Sequence, residues 1–113
     1  MSGFQRRCTS SAAPIDHQPV PAEQLLSDAQ TTGALELGDV AGVEYGLWEI
    51  SEGVSTDVEA DEVFVVLSGA ARIDFPALAE SITVGPGDIV RLRAGEHSVW
   101  TVTETLRKVY FLG

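Results

Sequence analysis

The stretch GVSTDVEADEVFVVLSG, residues 53–69, decides the fold. It reads as a glycine turn, an acidic approach, and a strand that opens at Glu62 and stops at Gly69. Val63, Val65 and Leu67 alternate there with Phe64, Val66 and Ser68. Successive side chains of a strand point to opposite faces, so one of these sets shares its face with Glu62. Both sets are apolar, which predicts a strand covered on each side, as in a closed barrel or sandwich. A carboxylate that opens such a strand stands at the rim of a core. A second block, GPGDIVRLRAGEHSVW at residues 85–100, repeats the pattern: glycine turn, short apolar strand, glycine turn, strand.

Working outward, VEYGLWEI at residues 43–50 is strand-like, with Gly46 weakening it or marking a bulge. Beyond Gly69 the chain turns into a strand over 70–75, which Pro76 ends because proline cannot donate to a ladder. Residues 81–84, 89–93, 97–103 and 106–112 form further strands, separated by Gly85-Pro86-Gly87-Asp88, Ala94-Gly95-Glu96 and Glu104-Thr105 as turns. Gly33, Gly38, Gly42 and Gly46 punctuate the earlier part, and PAEQLLSD at 21–28 has the start of one helical turn. Residues 1–20 read as a flexible arm and 21–113 as a single domain. Short strands with glycine turns about every ten residues predict an all-β sandwich or barrel.

The formal net charge of −10 argues against nucleic acid, whose phosphates demand Lys and Arg. The charge is also uneven: residues 16–71 hold twelve Asp and Glu and no Lys or Arg. That half predicts a solvated acidic surface. A lone Cys8 can close no internal disulfide, and neither a secretory leader nor a membrane-spanning run is visible. The expectation is a cytoplasmic protein with no membrane or nucleic-acid partner.

The order of these elements resembles a cupin, a small antiparallel jelly-roll barrel (double-stranded β-helix) of the RmlC-like kind. In the first cupin motif a glycine precedes a histidine pair and a glutamate, and a second glycine closes it after six residues. Gly53, Glu62 and Gly69 stand in those places. In the second motif Gly87, Arg93, Gly95 and Ser98 occupy the places of glycine, proline, glycine and histidine. The wording is similar to the single-domain branch around ureidoglycine aminohydrolase: Trp48-Glu49, Asp61-Glu62, Gly87-Asp88, and Trp100 followed by Arg107-Lys108-Val109-Tyr110.

Metal-binding cupins hold their ion with three histidines and a glutamate. Here the histidine pair falls on Thr56 and Val58 or on Ser55 and Asp57, the third histidine on Ser98, and Glu62 alone remains. His97 lies one residue off, which turns it to the other face. The resemblance therefore implies no cofactor and no metal residues, with Mn or Zn as the ion if a divalent site persists. Asp57, Glu59 and Asp61, on an extended strand, would face away from Glu62 as a solvated rim.

With Glu62 inward, alternation brings Phe64 and Val66 with it, and Ser98 comes with Trp100 and Val102. Lys108, Tyr110 and Leu112 share one face of the last strand. A buried Glu62 needs a partner, and Lys108, Tyr110, Ser98 or Tyr45 are the candidates. The expected ligand site is Trp48, Glu62, Phe64, Ser98, Trp100 and Tyr110, suited to a small polar metabolite such as a small carboxylate or a nitrogen-rich compound. The alternative is an enzyme related to ureidoglycine aminohydrolase or to sugar-epimerase-like cupins, with Glu62, Lys108 and Tyr110 as acid–base residues. Open sheet edges predict a homodimer.

Overall fold

The computed structural model describes residues 6–113. Eight strands make one antiparallel system: β1 (Gln18–Pro19), β2 (Thr31–Val40), β3 (Val43–Ile50), β4 (Gly53–Val58), β5 (Glu62–Phe75), β6 (Glu80–Val84), β7 (Ile89–Leu92) and β8 (His97–Leu112). The path runs β1-β2-β3-β8-β5-β6, with β4 added to β8 and β7 added to β5. This is the jelly-roll barrel of the cupins.

Two long strands organise it. The C-terminal half of β8 lies between β3 and the start of β5, pairing Trp48 and Val66 with Lys108. Its N-terminal half lies between β4 and the end of β5, pairing Ser55 and Ile73 with Trp100. Each long strand thus serves both walls of the barrel. Between the halves the β5–β8 register shifts three times, from Val66 to Ala71, and Gly69 sits in this bend at φ +90°. A Cβ on Gly69 would lie 2.1 Å from the Thr105 carbonyl oxygen, so the two backbones touch where no side chain fits. The sequence reading ended a strand at Gly69 and placed a turn at Glu104-Thr105. Both strands instead continue through a shared bend, because the long-range ladder outweighs the local turn preference of these residues.

The core lies between the walls. Phe64, Ile73, Leu92 and Leu106 are fully buried, with Val66, Val84, Trp100 and Val102 around them. Every second residue of β5 from Glu62 to Val66 is buried, while Val63 on the opposite face is exposed. The expectation that both faces are covered therefore holds only in part.

The segment 21–28 forms no helix. The Gln24 amide donates to the Pro21 carbonyl in a turn, after which Leu26 and Thr56 exchange backbone bonds with Val54 and Gln24 along the β4 edge. Of the expected arm, residues 1–5 lie outside the described residues. Further on, β1 pairs with β2 of its own chain, and Arg107 Nη1 donates to the carbonyls of Ser10 and Ala13 at 2.8 Å. His17 reaches Thr31 Oγ1 at 2.8 Å and Glu49 Oε1 at 2.7 Å. The chain crosses β2 so closely that a Cβ on Gly33 would meet the Asp16 carbonyl oxygen at 2.2 Å.

Candidate functional site

A cavity of about 380 Å³ opens between β2, β3, β4 and β8 at the mouth of the barrel. Strand alternation supplies its wall. From β3 come Glu44 and Trp48, from β4 Ser55 and Asp57, from the start of β5 Glu62, and from β8 Trp100, Lys108 and Tyr110.

The centre of the wall is an ion pair. Lys108 Nζ donates to Glu62 Oε2 at 2.6 Å, and the two side chains are only 6% and 10% exposed. The nitrogen also sits 4.1 Å from the Phe64 ring centroid, 4.4 Å from that of Trp48 and 5.3 Å from that of Trp100. An ammonium over aromatic faces gains from the negative ring quadrupole. The rings brace one another, Trp48 edge-on to Trp100 at 5.6 Å and Phe64 tilted against Trp100 at 5.8 Å. Burial drives the Lys108 ammonium below its ordinary range, and the Glu62 carboxylate pulls it only partly back.

A second carboxylate is anchored beside the pair. Glu59 Oε2 accepts from Ser98 Oγ at 2.5 Å and from the Trp100 indole N–H at 3.0 Å. At the mouth, the Tyr110 hydroxyl donates to Glu44 Oε2 at 2.9 Å. Burial and the Glu44 bond both push the Tyr110 hydroxyl well above its usual range. Asp57 is raised by burial and by the neighbouring Glu59 charge.

All the residues expected at the site lie around this cavity or behind its wall. Trp48, Glu62, Trp100, Lys108 and Tyr110 line it directly. Phe64 packs behind the Lys108 nitrogen, and Ser98 is buried against Glu59. Lys108 is the partner of Glu62. Tyr45 is not, because it pairs with Phe111 on the other face of the sheet. Of the two alignments of the first motif, Ser55 and Asp57 both line the cavity, whereas of Thr56 and Val58 only Thr56 does, and Val58 lies outside with His97 and Val99.

Three acidic residues were missed or misplaced. Asp57 and Glu59 were expected to face away from Glu62, yet both line the cavity with it. The cause is local. β4 ends at Val58 and β5 begins at Glu62, so residues 59–61 are not extended and alternation does not carry across them. Glu44 is absent from the expected site, although alternation back from Trp48 along β3 places it inward, where it lines the cavity.

The donor set does not fit a histidine-type cupin metal. Ser55, Asp57 and Ser98 stand at the inward histidine places; Ser98 is committed to Glu59, and the Glu62 carboxylate is met by an ammonium. Transition metals favour imidazole or thiolate donors, and among the described residues no group of three or more His, Cys, Asp or Glu converges on one point.

Barrel topology and motif order together define a cupin. The sequence matches the family of EutQ-like cupin domains over residues 37–110, and the chain belongs to that family. The fold is shared with a structure of unknown function from Rhizobium leguminosarum, 24% identical, with TM-score 0.64, covering 72% of this chain and 79% of that one. A Pseudomonas syringae protein of unknown function superposes with TM-score 0.72 at 21% identity, over 90% of this chain and 45% of that one. The EutQ protein of Clostridium difficile gives TM-score 0.63 at 16% identity, over 74% and 68%. No curated protein matches the sequence. No helix among the described residues is long and apolar enough to cross a membrane.

Proposed function

We propose that the barrel mouth binds a small polar metabolite, without a transition metal, through the Glu62–Lys108 pair and the aromatic wall around it. The observation that carries this reading is a 2.6 Å ion pair at the wall of a cavity of about 380 Å³. Burying a carboxylate and an ammonium costs several kcal/mol per ion, so a hydrophobic pair would stabilise such a barrel at least as well. A cavity of this size falls in the range that encloses small ligands, and a few polar groups on an otherwise apolar wall give orientation. In this reading Trp48, Phe64 and Trp100 shape the pocket, Ser98 holds Glu59 in place, and Tyr110 closes the rim.

Thermal-shift screening against ureides, amino acids and small acids tests the pocket. A ligand that raises the melting temperature of the native chain and not of Glu62→Gln supports it. If Glu62→Gln leaves every ligand response intact, the pair has no part in recognition. Elemental analysis of protein purified without chelator tests the metal-free half: one tightly held Mn, Fe, Ni or Zn per chain refutes it.

A second reading, acid–base catalysis related to ureidoglycine aminohydrolase or to sugar-epimerase-like cupins, is favoured by the depressed Lys108. A lysine pulled toward neutrality by burial, hydrogen-bonded to a carboxylate, can pass a proton to or from a substrate nitrogen or oxygen at the cavity face. Turnover of a ligand found by the screen, lost in Lys108→Met, separates catalysis from binding. We also propose a cytoplasmic homodimer that contacts neither nucleic acid nor membrane. The net charge of −10 supports the exclusion of nucleic acid, and the outward Val63, Ile89 and Phe111 support self-association. Light scattering at micromolar concentration tests the dimer, and a monomer refutes it.

A further inference from the structure

We infer that the ligand of this cavity carries a protonated nitrogen, as an amine, amidine or guanidine, and is not a carboxylate or phosphate. The inference rests on the pocket reading above and narrows the class of ligand. Four carboxyl groups line the cavity, Glu44, Asp57, Glu59 and Glu62, against one basic group, Lys108. Glu62 and Lys108 cancel as a unit wherever their shared proton resides. Three carboxyl groups are left without a countercharge on the wall.

Glu59 adds an observation of a different kind. It is only 8% exposed, and both of its donors fall on Oε2. Oε1 has no hydrogen-bond donor among the described residues, although the side chain lines the cavity. A carboxylate oxygen accepts and never donates, so this one can take a hydrogen bond from an N–H or O–H group in the cavity, and its charge favours a cationic N–H. Trp48 and Trp100 present their rings to the Lys108 nitrogen at 4.4 and 5.3 Å, so the cavity wall offers aromatic surface of the kind that attracts a cation. An anionic guest would meet the unbalanced carboxylates in a partly enclosed site where water screens poorly. Among the described residues the one basic group lining the cavity, Lys108, is already bound to Glu62.

The chain contains two tryptophans and both line the cavity, so their indole N–H resonances report directly on its contents. The test follows both resonances during titration at fixed ionic strength with 1,4-diaminobutane, methylguanidine, succinate, inorganic phosphate and uncharged 1,4-butanediol. We expect saturable shifts with the two cations and none with the anions or the diol. Succinate, phosphate or butanediol binding as tightly as the cations overturns the inference and leaves the pocket reading standing. No response to any compound overturns the inference and counts against the pocket as well. Asp57→Asn, at the cavity rim, should weaken diaminobutane binding about fivefold, the scale of one partly screened charge pair. Glu59→Gln should weaken it at least as much, with the melting curve checking that the barrel remains folded. Unchanged affinity in both variants overturns the assignment.

Discussion

Lys108→Met isolates the central interaction. Methionine keeps most of the unbranched stem and removes only the ammonium. The Glu62 side chain, 10% exposed, is then left with no countercharge. Breaking one side of a buried pair costs about 3–5 kcal/mol. Glu62 borders the cavity and regains some water there, so the lower end, about 3 kcal/mol, applies. For a domain of this size each kcal/mol moves the melting temperature by about 4 °C, giving a drop of about 12 °C. Adding Glu62→Gln removes the stranded charge, and the double variant should recover about 2 kcal/mol of the loss. Urea denaturation of the wild type, both single variants and the double variant at pH 7 measures this coupling. A coupling below about 0.5 kcal/mol refutes the claim that the two side chains form one energetic unit. The pH dependence supplies a second check. An unfolded lysine keeps its proton up to pH 10.5, whereas burial makes folded Lys108 release it earlier. In the window between those values the unfolded chain binds more protons, so native stability should climb with rising pH. Lys108→Met should lack that climb.

Three further outcomes are expected. Gly69→Ala should cost about 3 kcal/mol or more by denaturation, since a Cβ at φ +90° would lie 2.1 Å from the Thr105 oxygen; a loss below about 1 kcal/mol would show that the bend relaxes freely. Asp57→Asn should stabilise the chain at neutral pH, because burial and Glu59 raise the Asp57 carboxyl in the folded state. The gain should shrink as pH falls through the raised value and vanish below the unfolded value of 3.8, where aspartate is protonated folded and unfolded alike; a gain that persists at the acid end contradicts this origin. Arg107→Ala should speed limited proteolysis within residues 6–17 several-fold, since it removes both 2.8 Å bonds to the Ser10 and Ala13 carbonyls; an unchanged cleavage rate means other contacts hold the segment.

What the sequence could reveal depended on where alternation remains valid. Within a strand it is a geometric rule, and β3 was legible at both ends, Val43 and Ile50. So were the same-face sets Glu62–Phe64–Val66, Ser98–Trp100–Val102 and Lys108–Tyr110–Leu112, although alternation alone did not say which face of the last strand turns inward. It failed at Gly69 and Thr105, where a local preference for turning competes with a ladder between residues far apart in the chain. It failed again at Glu59, whose three-residue link is not extended, so counting by twos gave the wrong face. The partner of Glu62 was also beyond a single strand's pattern. Lys108, Tyr110, Ser98 and Tyr45 all looked equivalent until the pairing of β5 with β8 brought the long Lys108 side chain, opposite Val66, back to the Glu62 carboxylate. Pairing register is a long-range property, and only the assembled barrel fixes it.

That register bears on why the pair exists. In histidine-bearing cupins the motif glutamate faces a metal ion; in this chain Glu62 faces an ammonium carried on β8, and the inward histidine places hold Ser55, Asp57 and Ser98. An attached cation cannot dissociate, and its position is set by strand geometry instead of by solution concentration. It also leaves the remaining carboxylates unneutralised, since one ammonium balances one of four. A barrel selected for stability alone would have no reason to keep that imbalance around a cavity, because leucine or methionine would fill the same volume without a desolvation cost. The surplus negative charge and the unfilled space occur at the same place, and a cationic guest resolves both.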